Sequence, residues 1–75
     1  MDHPDNAEVA KENALKALEQ MASRNIPSTP QNFTIWYTYL TGRHPDLINM
    51  IDKMIAEDAV FDNHHNAEIF ERFFG

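Results

Sequence analysis

The segment TPQNFTIWYTYLTG, from Thr29 to Gly42, carries the clearest structural signal in this chain. Thr29 is a favoured N-cap residue, and Pro30 suits the first position of a helix, where no amide hydrogen is needed. Gly42 is a typical C-terminal stop because glycine readily adopts a left-handed backbone. The β-branched and aromatic residues between these ends would also suit a strand. The capping residues therefore decide the assignment, and they predict a helix over residues 30–41.

The apolar side chains of this predicted helix recur at intervals of three and four residues, whereas a strand would need strict alternation. Four of them share one face: Phe33, Trp36, Tyr37 and Leu40. Such a face predicts a packed core or an aromatic pocket, and core packing is favoured. Ile35 and Tyr39 are expected to project away from it. We therefore expect some apolar surface to be shared with another helix or another chain.

An alanine-rich stretch before this helix predicts another over residues 6–23. Asp5 and Glu8 form a capping box at its start, in which each side chain satisfies a backbone amide of the first turn. The break after it is marked by Pro27, which disfavours helix at the preceding residue, and by Asn25, which tolerates a left-handed backbone. The alanine face permits close approach of a neighbour but buries little area.

Two more helices are predicted downstream. Pro45 opens one over residues 45–58, and its broad apolar stripe, which includes Ile51, is typical of a central helix with neighbours on two sides. Asp62 caps the last, over residues 63–74. Four helices joined by short breaks predict an all-α domain, either a compact four-helix bundle or an orthogonal helical array.

The chain has 75 residues and no cysteine, so it is expected to form one domain without disulfides or thiolate metal sites. A domain of this size buries only about 60% of the surface that its unfolded chain exposes. Its core is therefore expected to be supplemented by close helix packing or by oligomerisation, of which we favour oligomerisation.

The formal net charge of −6 works against binding to nucleic acid and to anionic membrane surfaces. No apolar run approaches the roughly 20 residues that a membrane-spanning helix needs. The first ten residues have neither the basic start nor the apolar core of a secretory signal. We therefore expect a cytoplasmic protein that binds no nucleic acid and does not insert into a membrane.

Chemically reactive groups are present but do not form a recognisable site. His64 and His65 are adjacent, so on a helix they diverge by about 100° and cannot both face one metal ion. The acidic pair Glu68 and Glu71 has no nucleophile or glycine-rich loop nearby in sequence. With two glycines in the chain, a phosphate-binding loop is not expected. The sequence predicts no catalytic, cofactor or metal site, and hence no enzyme activity in this chain.

One segment combines a Thr-Pro-x-Asn start with a Trp-Tyr pair, which is an unusual pattern. The residues that carry it are Ile26, Pro27, Ser28, Thr29, Pro30, Gln31, Asn32, Phe33, Trp36, Tyr37, Tyr39, Gly42 and Pro45. This pattern resembles the amino-terminal region that precedes the GGDEF catalytic domain in a group of proteobacterial diguanylate cyclases. The resemblance extends to Ile51, Asp52 and residues 61–74.

The resemblance implies a non-catalytic dimerisation or protein-interaction domain that regulates cyclic di-GMP synthesis. A cyclase of this type joins two GTP molecules at the interface of two catalytic domains, so a homodimer of the regulatory part would bring these together. These 75 residues contain no GGDEF domain, so the resemblance assigns no cyclase activity to them and is compatible with either an N-terminal fragment or a stand-alone relative. The apolar end Phe73-Phe74-Gly75 leads us to expect the N-terminal part of a longer protein.

Two sets of candidate residues follow. The expected interaction surface comprises Ile35, Tyr39, Phe70, Phe73 and Phe74. The expected core or pocket comprises Phe33, Trp36, Tyr37, Leu40 and Ile51. Two other functions stay open: a small-molecule sensor with an aromatic pocket, and a stand-alone docking module that binds another protein through its acidic face.

Overall fold

A computed structural model describes residues 6–75, and every regular element in that part of the chain is an α-helix. This confirms the predicted all-α fold. The helices in chain order are α1 (Ala7–Ser23), α2 (Pro30–Thr41), α3 (Pro45–Ala56) and α4 (Asn63–Phe74). Three of the four match the predicted bounds to within one residue, and α3 ends earlier than predicted.

Each helix begins at a residue whose side chain accepts a hydrogen bond from the first turn. These N-cap residues are Asn6, Thr29, His44 and Asp62. The predicted cap of α1, Asp5, lies outside the described residues. In the described part Asn6 fills that role, because its Oδ1 accepts a hydrogen bond of 2.9 Å from the amide of Val9. A cap of this kind stabilises a helix by about 1 kcal/mol.

The ends of α1 and α3 share one backbone motif. Asn25 and Asp58 have left-handed φ angles of 57° and 54°. In both places the amide of the next residue donates to a carbonyl oxygen five residues back, at 2.8 Å. This closes the helix in a Schellman motif. The prediction that α3 runs to Asp58 is therefore wrong, because Asp58 is the left-handed residue that stops the helix at Ala56.

Two buried asparagines hold the loops that lead into α2 and α4. The Nδ2 atom of Asn32 donates to the carbonyl oxygen of Pro27 at 3.0 Å, and that of Asn66 donates to the carbonyl oxygen of Phe61 at 3.1 Å. Each bond spans five residues and satisfies a carbonyl group outside the helix. Because buried polar side chains need hydrogen-bond partners, these two bonds fix the loop that enters each helix.

α2 is the central helix, since it packs against α1, α3 and α4. The sequence favours α3 for this position. α2 takes it because its side chains are large: the Trp36 ring reaches Phe61, which precedes α4, and Arg24, which follows α1. Eight apolar side chains form the buried core: Ala17, Met21, Ile26, Ile35, Trp36, Leu47, Ile51 and Ile69.

Candidate functional site

The expected core-or-pocket residues divide into two groups. Trp36 and Ile51 are fully buried in the core, and three half-buried residues pack against that core: Phe33, Tyr37 and Leu40. The Trp36 ring lies 5.4 Å from the ring centroids of both Tyr39 and Phe61, and the Arg24 guanidinium lies 5.6 Å from the Trp36 ring. Protein groups therefore surround the Trp36 ring, which is the arrangement of a core residue.

Ile35 does not lie on an outer surface, and its assignment to the interaction surface is wrong. Its side chain is 1% exposed. Ile35 and Trp36 point about 100° apart on α2, so both can be buried only in a helix that has neighbours on several sides. The central position of α2 provides those neighbours.

The three phenylalanines of the expected interaction surface lie together with His44, the N-cap residue of α3. The rings of Phe70 and Phe74 stack at 5.5 Å, and the Phe73 ring meets His44 edge-on at 5.5 Å. All four side chains are half-buried. We call Phe70, Phe73, Phe74 and His44 the α4 aromatic cluster. Its apolar surface remains partly accessible to another molecule.

Tyr39, the remaining residue of the expected surface, is half-buried and points toward α3. Its hydroxyl donates a hydrogen bond to the Oδ1 of Asp52. This bond, together with burial and the negative charge of Asp52, raises the pKa of Tyr39 above its ordinary value of 10.0, while Arg24 acts in the opposite direction. Tyr39 therefore ties α2 to α3.

Replacing Asp52 with Ala should lower the pKa of Tyr39 toward 10.0, because the acceptor that favours the neutral phenol is removed. Tyr39 and Tyr37 are the two tyrosines of the chain, so a Tyr37→Phe background isolates the phenolate absorbance of Tyr39. Because the pKa of Tyr39 is raised in the native state, the neutral phenol and its hydrogen bond to Asp52 stabilise the fold fully below pH 10.0. That stabilisation is lost as the pH rises through the native pKa of Tyr39.

The matched control is Asp46→Ala, which removes the same charge from the exposed surface of the same helix. It should leave the titration midpoint of Tyr39 in place. Equal shifts in the two variants would show that the hydrogen bond has no special effect and that only the overall charge matters.

A second surface feature lies between α3 and α4. Two adjoining hollows of about 410 and 490 Å³ share Met50 and Arg72 in their linings. Met50 and Met54 are half-buried, and exposed charged side chains surround them. We call this feature the methionine groove. Its complete lining is Asp46, Asn49, Met50, Lys53, Met54, Glu57, Glu68, Glu71 and Arg72.

The methionine groove could not be recognised from the sequence. Met50 and Met54 are four residues apart and therefore share a face of α3. That spacing indicates a shared apolar face, but it is equally typical of residues that face a core. Only the position of α4 leaves these two methionines partly uncovered.

The histidines at the start of α4 pair with neighbouring acids. The Nδ1 of His65 lies 2.9 Å from the Oδ1 of Asp62, and the Nε2 of His64 lies 3.6 Å from the Oε1 of Glu68. The backbone amide of His65, which donates to Asp62, lowers the pKa of that carboxyl. Over residues 6–75, no group of three or more His, Cys, Asp or Glu side chains is arranged to hold a metal ion.

Within residues 6–75 no helix is both long and apolar enough to cross a membrane.

Comparison of the chain with models of known protein families, with curated proteins and with solved structures gave no match.

Proposed function

We propose that this chain is a non-catalytic dimerisation or protein-interaction domain that regulates a diguanylate cyclase. The α4 aromatic cluster carries the proposal. It concentrates three phenylalanine rings in one part of the surface without burying them fully. Aromatic side chains are enriched at protein interfaces because they bury a large area at a low cost in side-chain entropy.

The link to cyclic di-GMP signalling is supported by the resemblance of the segment from Ile26 to Pro45 to the region before the GGDEF domain. A self-associating domain would keep two attached catalytic domains at an effective concentration on the order of millimolar. Two such domains must meet to join two GTP molecules, so association alone would raise the rate of synthesis. This role goes with a cytoplasmic location, where GTP is available.

The first test measures the oligomeric state by sedimentation velocity at micromolar concentration. We expect the wild-type chain to form a dimer and Phe74→Ser to be a monomer with an unchanged circular dichroism spectrum. The matched control is Val60→Ser, because Val60 is 67% exposed but lies outside the cluster. A monomeric wild-type chain, or a dimer that neither variant weakens, would contradict dimerisation through the cluster.

The second test addresses the cyclase. The chain is fused ahead of a diguanylate cyclase catalytic domain, and synthesis of cyclic di-GMP is followed at low enzyme concentration. The wild-type fusion should be more active than the fusion with Phe74→Ser, and the difference should shrink as the enzyme concentration rises. Equal activity of the two fusions across the whole concentration range would overturn the regulatory role.

A further inference from the structure

The methionine groove offers two apolar contact points for a helix. Met50 and Met54 lie one turn apart along α3; Met50 lines both hollows, and Met54 lines the larger one. Side chains four residues apart on a helix are separated by about 5–6 Å, so an apolar stripe on a second helix matches their spacing. Methionine is flexible and polarisable and adapts to ligands of different shape.

The charges around the methionine groove are mainly negative. Two cations, Lys53 and Arg72, line the groove. Four carboxylates also line it: Asp46, Glu57, Glu68 and Glu71. Arg72 is already engaged, because its guanidinium lies 5.2 Å from the Phe73 ring and its Nη1 lies 4.0 Å from the sulfur of Met50. In the part of the chain that the structure describes, no ion pair neutralises Asp46, Glu57 or Glu71.

From this combination we infer that the methionine groove binds a basic amphipathic helix of a partner protein. The apolar face of that helix packs on Met50 and Met54, and its Lys and Arg side chains reach the carboxylates on both sides. This is the helix-in-groove mode of recognition, in which apolar anchors supply affinity and charges select the partner. The inference is independent of self-association through the α4 aromatic cluster.

The charge requirement can be tested with a synthetic amphipathic helix of leucine and lysine as the probe, titrated against the full chain by fluorescence anisotropy. Glu68→Lys with Glu71→Lys should weaken binding by about tenfold or more, because attraction is replaced by repulsion. The matched control is Glu12→Lys with Glu19→Lys on α1, where both side chains are exposed. It makes the same change in net charge and should leave affinity nearly unchanged.

The apolar requirement is tested by Met50→Ser, which should also weaken binding, with Leu15→Ser as its control because Leu15 is 54% exposed on α1. Circular dichroism verifies that each variant is folded. Equal losses of affinity in the two double variants would mean that the probe responds only to net charge. Either that result or an absence of saturable binding overturns the inference. Sedimentation reports separately on dimerisation, so the failure of one proposal is distinguishable from the failure of the other.

Discussion

Trp36→Ala is expected to remove a large part of the stability of the domain. Trp36 is fully buried and is the largest side chain of the core. Truncating a buried tryptophan costs about 3–5 kcal/mol, because it loses the transfer free energy and leaves a cavity. At about 0.05–0.15 kcal/mol per residue, a domain of this size has roughly 4–11 kcal/mol in total. Urea unfolding followed by far-ultraviolet circular dichroism measures the loss.

Trp36→Phe is the matched control for this variant. The indole nitrogen of Trp36 is buried and has no hydrogen-bond partner among the described residues. Removing it therefore breaks no hydrogen bond, and the phenyl ring retains much of the contact with Tyr39 and Phe61. We expect Trp36→Phe to stay folded with a smaller loss of stability. A Trp36→Ala variant with the urea midpoint of the wild type would show that this side chain is not a core residue.

Ile35→Ala has the second largest expected effect. Ile35 is 1% exposed, and truncating a buried isoleucine to alanine costs about 2–5 kcal/mol. Leu15→Ala is the comparison, because Leu15 is 54% exposed and a surface substitution of this kind changes stability by about 0.5 kcal/mol or less. Both variants remove aliphatic carbon from a helix, so the difference between them isolates burial. Chemical denaturation of each variant gives the two free energies of unfolding.

The same pair of variants tests whether Ile35 belongs to the core or to an interaction surface. If its side chain lay on an interaction surface, Ile35→Ala would leave the free energy of unfolding of the monomer unchanged and would weaken association instead. Measuring unfolding and sedimentation on the same samples separates these outcomes. Equal stability of Ile35→Ala and Leu15→Ala would refute the central position of α2.

The helix boundaries could be predicted because each depends on residues close together in the chain. Thr29 and Pro30 start α2, and Gly42 ends it with a φ of 72°. The predicted left-handed backbone at Asn25 is also confirmed. The same motif at Asp58 was missed because aspartate, with no proline after it, is a weaker signal than asparagine before Ile26-Pro27.

The candidate site was only partly predictable. The sequence indicated that Phe70, Phe73 and Phe74 share a helix, but the contact of Phe73 with His44 depends on how α3 meets α4. The helical spacing of α2 could not tell whether Ile35 faces the core or a partner. That choice depends on how many helices surround α2, and no local pattern contains this information.

Local signals in the chain are enough to predict the number of helices, the start of each helix from residue 30 onward, and the apolar character of their faces. These properties follow from capping and periodicity, which act over a few residues. Tertiary packing makes α2 rather than α3 the central helix, buries Ile35, and places Met50 and Met54 in an acidic groove. Such outcomes depend on contacts between residues far apart in the chain, where the shape and volume of whole side chains select one packing among several.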